Sequence, residues 1–329
     1  MSPEKLITKI KQKFEKDDKL VLLTTFIVGI IGNFYFFVSR GLQADALSSS
    51  YFRIAGNWET KLGRPLIQFT DMTRFGFVNQ LLIVLVSLLF IAGFMMLIRR
   101  IFKIKSRVLL FALTLIITVA PQFTETYMFL YCADSYLLAF FLSALAVFAM
   151  TKIKTIKKSK LWALLAICCS GYVCGLYQAY LGVILGILIV YTIKNTLDEE
   201  KVSIAFKKFV RNLLLVFAGV VIYYVILRVG LKLAHARLAG YKGADGLGLA
   251  TILALPKTIA NCFSDFFGFL SIKFQLLIIT IFIIALSFTL QFLFQLFLAH
   301  FTFSNVIKIT KNYHSSSSLH SFSRFVLIS

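Results

Sequence analysis

Apolar runs separated by polar, charged breaks dominate this chain, and the runs have the length of membrane spans. Leu20–Val38 is the first, and it is long enough to cross ~30 Å of hydrocarbon. Phe77–Ile98 is the second, Val108–Pro121 a shorter third, and Tyr136–Met150 the fourth. Leu161–Ile193 is too long for one span, and the polar pair Tyr177 and Gln178 breaks it into a helical hairpin, the fifth and sixth helices. Leu213–Val229 is the seventh, and Ile259–Leu270 and Phe274–Ala299 supply one or two more. The pattern predicts an all-α, polytopic transmembrane helical bundle of about nine helices.

Composition strengthens this expectation. Hydrophobic residues make up 59% of the chain, more than a soluble core of this size can hide, and Phe alone occurs 35 times. Lys and Arg number 35 against 14 Asp and Glu, a net charge of +21. Such a charge on a soluble domain would point to nucleic acid. Here the basic residues cluster at alternate connections, over 1–19, 99–107, 151–160 and 194–211, and this excludes nucleic acid as the partner. The positive-inside bias places those four segments in the cytoplasm. The opposite side then holds the loops 39–76, 122–135, 177–178 and 230–257. Residues 1–19 form either an amphipathic helix on the inner leaflet, carried by Leu6, Ile7, Ile10 and Phe14, or a solvated tail. No small-residue cleavage site follows the first run, so it is expected to stay as an anchor. The expected domains are thus the basic segment 1–19, a transmembrane domain over 20–299, and an atypical tail over 300–329. That tail carries Ser315–Ser318 and no periodicity, and is expected to be frame-shifted or disordered.

The five cysteines show no metal-type spacing, and Cys168, Cys169 and Cys174 lie in an apolar run as packing residues. No metal site is predicted; a divalent cation is not indicated. Half of the acidic residues fall on the outer side: Asp45, Glu59, Asp71, Glu125, Asp134, Asp245 and Asp265. A charge at membrane depth costs on the order of 3 kcal/mol, so charges near the membrane tend to persist where they serve a purpose. The first outer loop combines Asp45, Glu59 and Asp71 with Arg40, Arg53, Arg64 and Arg74, and places Tyr51 and Trp58 among them. Carboxylates can act as a general base, arginines can hold phosphate bidentately, and an aromatic ring can stack on a sugar. The same residues also fit an interfacial loop with solvated ion pairs. The second outer segment carries Glu125 and Asp134 at helix ends, with Tyr127, Tyr131 and Tyr136 around them, and also reads as an interfacial tyrosine belt. Tyr177, Gln178 and Tyr180 interrupt the hairpin, where polar residues can equally satisfy a turn. The Gly-rich stretch Tyr241–Gly248 lacks a strand–helix setting and is no nucleotide loop.

Together these segments resemble the bacterial type-II glucosyltransferase family, membrane enzymes of the GT-C class that include decorators of O-antigen. The resemblance rests on an acid-bearing first outer loop that ends in Gly63-Arg64, on Tyr131, Asp134 and Tyr136 leading into an apolar run, on Tyr177-Gln178-Ala179-Tyr180, and on Tyr241–Gly243. It spans roughly residues 20–250. It implies a GT-C-like fold in a bacterial inner membrane, a polyprenyl-phosphate sugar donor (commonly glucose), an acceptor glycan presented outside the cytoplasm, and no cofactor. A small flippase and a donor synthase are the implied partners, beside the lipid bilayer. It also implies inversion with a first-loop carboxylate as base: Asp45 matches best, Asp134 is the reserve, and Glu59 follows. Arg53, Arg64, Asp71, Trp58, Glu125, Tyr131, Tyr136, Tyr177, Gln178, Tyr180 and Tyr241 are the expected substrate-binding residues. Against the family's length, the chain is expected to be C-terminally truncated. The alternatives are a lipid-sugar flippase or polysaccharide transporter, which should show mid-membrane charges and repeat symmetry, and an inactive truncated enzyme.

Overall fold

The computed structural model describes residues 16–38, 51–153, 156–198 and 201–240, together with scattered helical positions between 253 and 264. The chain divides into two compact units, 1–246 and 247–329; all that follows concerns the first. Among the described residues the only β pairing is an isolated bridge between Phe52 and Phe77, and the rest of the regular structure is helical.

Helix α1 (Lys16–Gly32) is broken by a turn at Asn33, whose amide donates to the Gly29 carbonyl at 3.1 Å, and continues as the short α2 (Phe34–Val38). Two short helices, α3 (Asn57–Lys61) and α4 (Ile67–Thr73), precede the long apolar α5 (Gln80–Phe102). Asn79 caps α5 by accepting from the Leu82 amide, and Ser106 caps α6 (Arg107–Thr118) in the same way from Leu109. Pro121, which needs no amide partner in the first turn, opens α7 (Pro121–Met128). Then come α8 (Leu130–Thr151), α9 (Ile156–Leu176), a 3-10 turn at Gln178–Tyr180, α10 (Leu181–Leu197) and α11 (Val202–Leu233).

Six of these helical stretches are long and apolar enough to cross a membrane, so this is a membrane protein. The seven spans expected from the apolar runs up to Val229 are all helical, and the hairpin breaks at Tyr177 as its polar residues require. The boundaries differ in one region. Segment 122–135, expected as an outer loop, is mostly helix: α7 fills its first part and α8 begins at Leu130. Asp134 therefore sits inside a helix, buried, and not at a loop edge. The sequence hides this because the polar residues of the first turns of α8 find their partners elsewhere in the fold, as described below.

Helix α8 is the centre of the bundle. It packs on α5, α9 and α10, while α9 packs on α11 and α1 on α5 and α6. Its Ala133, Leu137, Ala144, Ala146 and Val147 are fully buried. Phe94 of α5 stacks on Phe140 of α8 with ring centroids 3.7 Å apart. Helices α9 and α11 meet backbone to backbone: a Cβ added at Gly171 would sit 2.8 Å from the Gly219 carbonyl oxygen, so only glycine fits there.

The two ends of the bundle are chemically distinct. At one end Asp17 and Asp18 of α1 bind Arg99 and Arg100 of α5 and Arg107 of α6, at 2.8 to 3.3 Å. Charged residues from two of the sequence's basic clusters thus converge on one face. At the other end lies the segment 51–78, packed on the first turns of α8 and the tip of the α9–α10 hairpin.

Candidate functional site

Residues 51–78 form a closed lobe. Its two ends pair, Arg53 N–H to Gly76 O at 2.8 Å and Val78 N–H to Tyr51 O at 2.9 Å, and Phe52 packs edge-on against Phe77 at 5.0 Å. Within it α3 starts with a capping arrangement in which Glu59 reaches back to the Gly56 amide at 2.8 Å. The turn after α3 places Gly63 at φ +79°, a left-handed conformation suited to glycine.

Three acids are gathered here, and each has both carboxylate oxygens engaged. Glu59 accepts from Gly56 N–H and from Arg53. Asp71 accepts from Ala55 N–H at 2.7 Å and from Arg74 at 2.5 Å. Asp134 accepts from Arg74 and from Ser135 N–H at 3.0 Å. Arg74 therefore bridges Asp71 of the lobe to Asp134 of α8, and also donates to the Tyr131 carbonyl. All three side chains of this bridge are almost completely buried. Burial pushes the Asp71 carboxyl up to about 6, opposed by the charge of Arg74. The bridge explains how the polar first turns of α8 can be helical and interior: their carboxylate is neutralised by an arginine distant in the chain.

The arginines divide by partner. Arg53 is paired with Glu59 and lies over the Tyr131 ring at 3.9 Å. Arg74 is paired with two carboxylates. Arg64 has no carboxylate partner among the described residues. It donates to Tyr136 Oη at 2.6 Å and lies over the Tyr177 ring at 4.4 Å, and its Nε is buried and unpartnered. Tyr136 and Tyr177 stack on each other at 4.7 Å, and Tyr180 meets Tyr177 edge-on at 5.8 Å. Behind Arg64, the Gly63 carbonyl accepts from Gln178 Nε2 at 2.6 Å and from Tyr223 Oη at 2.8 Å.

The lobe is thus held on α8, on the hairpin and on α11, and the cluster it forms gathers sequence candidates from three separate segments: Arg53, Glu59, Arg64 and Asp71 of the lobe, Tyr131, Asp134 and Tyr136 of α8, and Tyr177, Gln178 and Tyr180 of the hairpin. Trp58 and Glu125 stand apart, both exposed. Asp45 and Tyr241 lie outside the described residues. Among the described residues no group of His, Cys, Asp and Glu could hold a metal ion.

A family model described as Glucosyl transferase GtrII matches residues 48–322. The chain belongs to that family. No curated protein and no solved structure matches it. The GtrII match takes in the whole lobe and α5 to α11, and runs on through most of the tail; Asp45 stands just before its start. Membership makes the chain a glucosyltransferase by family, with a sugar donor and an acceptor.

Two residues of the cluster escape sequence reading as site members. Arg74 is visible in the loop, but nothing local marks it apart from its neighbours. Tyr223 sits in the apolar run of α11, where it and Tyr224, among Val220, Val221, Ile222 and Val225, look like lipid-facing residues. Only the helix packing shows that the Tyr223 hydroxyl reaches the lobe.

Proposed function

We propose that this GtrII protein is an inverting, GT-C-type glucosyltransferase of the bacterial inner membrane. It takes glucose from a polyprenyl-phosphate donor and adds it to a cell-surface glycan on the outer face, the end of the bundle that carries the lobe. The observation that carries this reading is Arg64. It is an arginine without a carboxylate partner among the described residues, stacked on an aromatic pair, in a cluster where the other two lobe arginines are neutralised. A guanidinium with charge and donors to spare suits a lipid-linked phosphate, and the adjoining tyrosine rings suit a sugar face.

The base is assigned to Asp45. Glu59, Asp71 and Asp134 each have both oxygens hydrogen-bonded within the protein and an arginine beside them, so no carboxylate oxygen among them is left unengaged for an acceptor hydroxyl. Asp45 closely precedes the lobe in sequence. In the reaction the acceptor hydroxyl oxygen attacks the anomeric carbon and its proton passes to the Asp45 carboxylate. The bond from the anomeric carbon to the phosphate oxygen breaks, and the polyprenyl phosphate leaves with that electron pair. Arg64 holds the phosphate whose charge grows.

The test uses membranes containing the protein, a polyprenyl-phosphate glucose labelled in the sugar, and acceptor glycan. Asp45→Asn should lower transfer by roughly 10²–10⁴-fold at unchanged abundance. Arg64→Lys should impair transfer although the charge is kept, because lysine cannot make the planar two-point contact. Undiminished transfer by Asp45→Asn would move the base to Asp134. Donor that crosses the bilayer without being consumed would favour the transporter.

A further inference from the structure

Two consecutive residues of the lobe meet two consecutive residues of the hairpin. Arg64 lies over the ring of Tyr177, and the carbonyl of Gly63 accepts from the side chain of Gln178 at 2.6 Å. Tyr223 of α11 completes a triangle: its hydroxyl lies 2.8 Å from the same carbonyl and 2.9 Å from Gln178 Nε2. The contact sits immediately before Arg64, on a residue whose left-handed backbone already fixes the direction of the next side chain. Nearby, Leu66 N–H donates to Gly175 O at 3.1 Å, which fixes the chain on the other side of Arg64. The Gln178 amide nitrogen thus has both its hydrogens directed at protein partners, and neither is left for a substrate.

We infer that Gln178 and Tyr223 are positioning residues that hold the Gly63 carbonyl and so set the Arg64 guanidinium against the Tyr136–Tyr177 pair. The inference rests on the reading of Arg64 as the group that binds the donor phosphate. It replaces the expectation that Gln178 binds substrate, and it gives α11 a part in donor binding that no residue of its apolar run advertises.

The test is a double-mutant cycle read as the donor KM, with a short-chain polyprenyl-phosphate glucose as the probe and the full chain in detergent micelles. Tyr223→Phe removes one hydrogen bond to Gly63 and keeps the other; it should raise the donor KM several-fold, at the scale of one hydrogen bond, with kcat and the acceptor KM nearly unchanged. Gln178→Ala removes the larger part of the triangle and should raise the donor KM roughly tenfold or more. In an Arg64→Ala background both effects should vanish, because Gln178 and Tyr223 act through Arg64. If Arg64→Ala raises the donor KM and Gln178→Ala or Tyr223→Phe still adds its full effect, the positioning role is wrong and direct binding by Gln178 returns. If Arg64→Ala leaves the donor KM unchanged, the phosphate role of Arg64 fails. A fold defect would lower the thermal midpoint and kcat together; should Gln178→Ala do so, the milder Tyr223→Phe decides the question.

Discussion

Arg74 supplies the buried ion-pair bridge between the lobe and α8. It lies between two buried carboxylates, and removing one partner of a buried ion pair leaves the others charged and unsolvated. Arg74→Ala should therefore cost about 3–5 kcal/mol and sharply reduce folded protein, as followed by thermal unfolding in detergent. The triple change Arg74→Met, Asp71→Asn, Asp134→Leu removes all the charges at once and should recover most of that loss; no recovery would mean that the arginine's shape and not its charge balance is needed. Asp71 adds a pH dependence with a definite sign. Its folded value, about 6, is raised above the ordinary 3.8, so folding favours the protonated form. The stabilisation it brings is complete below 3.8 and is lost as the pH rises through 6. The stability of the natural protein relative to Asp71→Asn should thus improve on going from pH 7 to pH 4; a flat difference over that interval would remove Asp71 as the titrating group. At this scale the sequence announces candidates but not roles. Glu59, Asp71, Asp134 and the three arginines are all visible as charges near an interface, while the pairing that separates Arg64 from Arg53 and Arg74 depends on hydrogen bonds between residues up to 72 apart in the chain.

The helices themselves were legible as apolar runs between charged breaks. Tyr177–Gln178 marked the hairpin turn, because a polar break in an apolar run must lie where backbone and side chains can be satisfied, while the caps at Asn79 and Ser106 that fix the starts of α5 and α6 emerge from the structure. Helix α8 was half hidden. Its first turns, from Leu130 to Ser135, contain Tyr131, Cys132 and Asp134, and hydropathy alone reads such a stretch as loop. Neutralisation by Arg74 lets it continue inward as helix. The start of α11 was hidden for the opposite reason. Its first turns carry Lys207, Lys208 and Arg211 and read as a basic connection, yet they extend the same helix as the apolar run that follows. The close meeting of Gly171 and Gly219 also escapes a reading by periodicity, since a glycine in an apolar run shows no partner until two helices are placed together.

For the whole molecule the alternation of basic and acidic connections was the strongest signal, and the ion pairs joining Asp17 and Asp18 to Arg99, Arg100 and Arg107 gather two of those basic connections at one end of the bundle. The topology can be checked directly. Cysteines introduced at the exposed positions Lys105 and Gln122 should react with an impermeant maleimide from opposite faces of the membrane, above the background of the natural cysteines. Reaction of both from one face would overturn the orientation and, with it, the outer-face site.

The hold on the Gly63 carbonyl has a consequence for the order of biosynthesis. Its two partners lie 115 and 160 residues further along the chain. At about 5–20 residues per second, the ribosome adds Tyr223 roughly 8–30 s after Gly63. Through that interval the lobe has been delivered to its side of the membrane while the helices that clamp it are still being made. The lobe is consequently held in its final place only once α11 has been made and inserted.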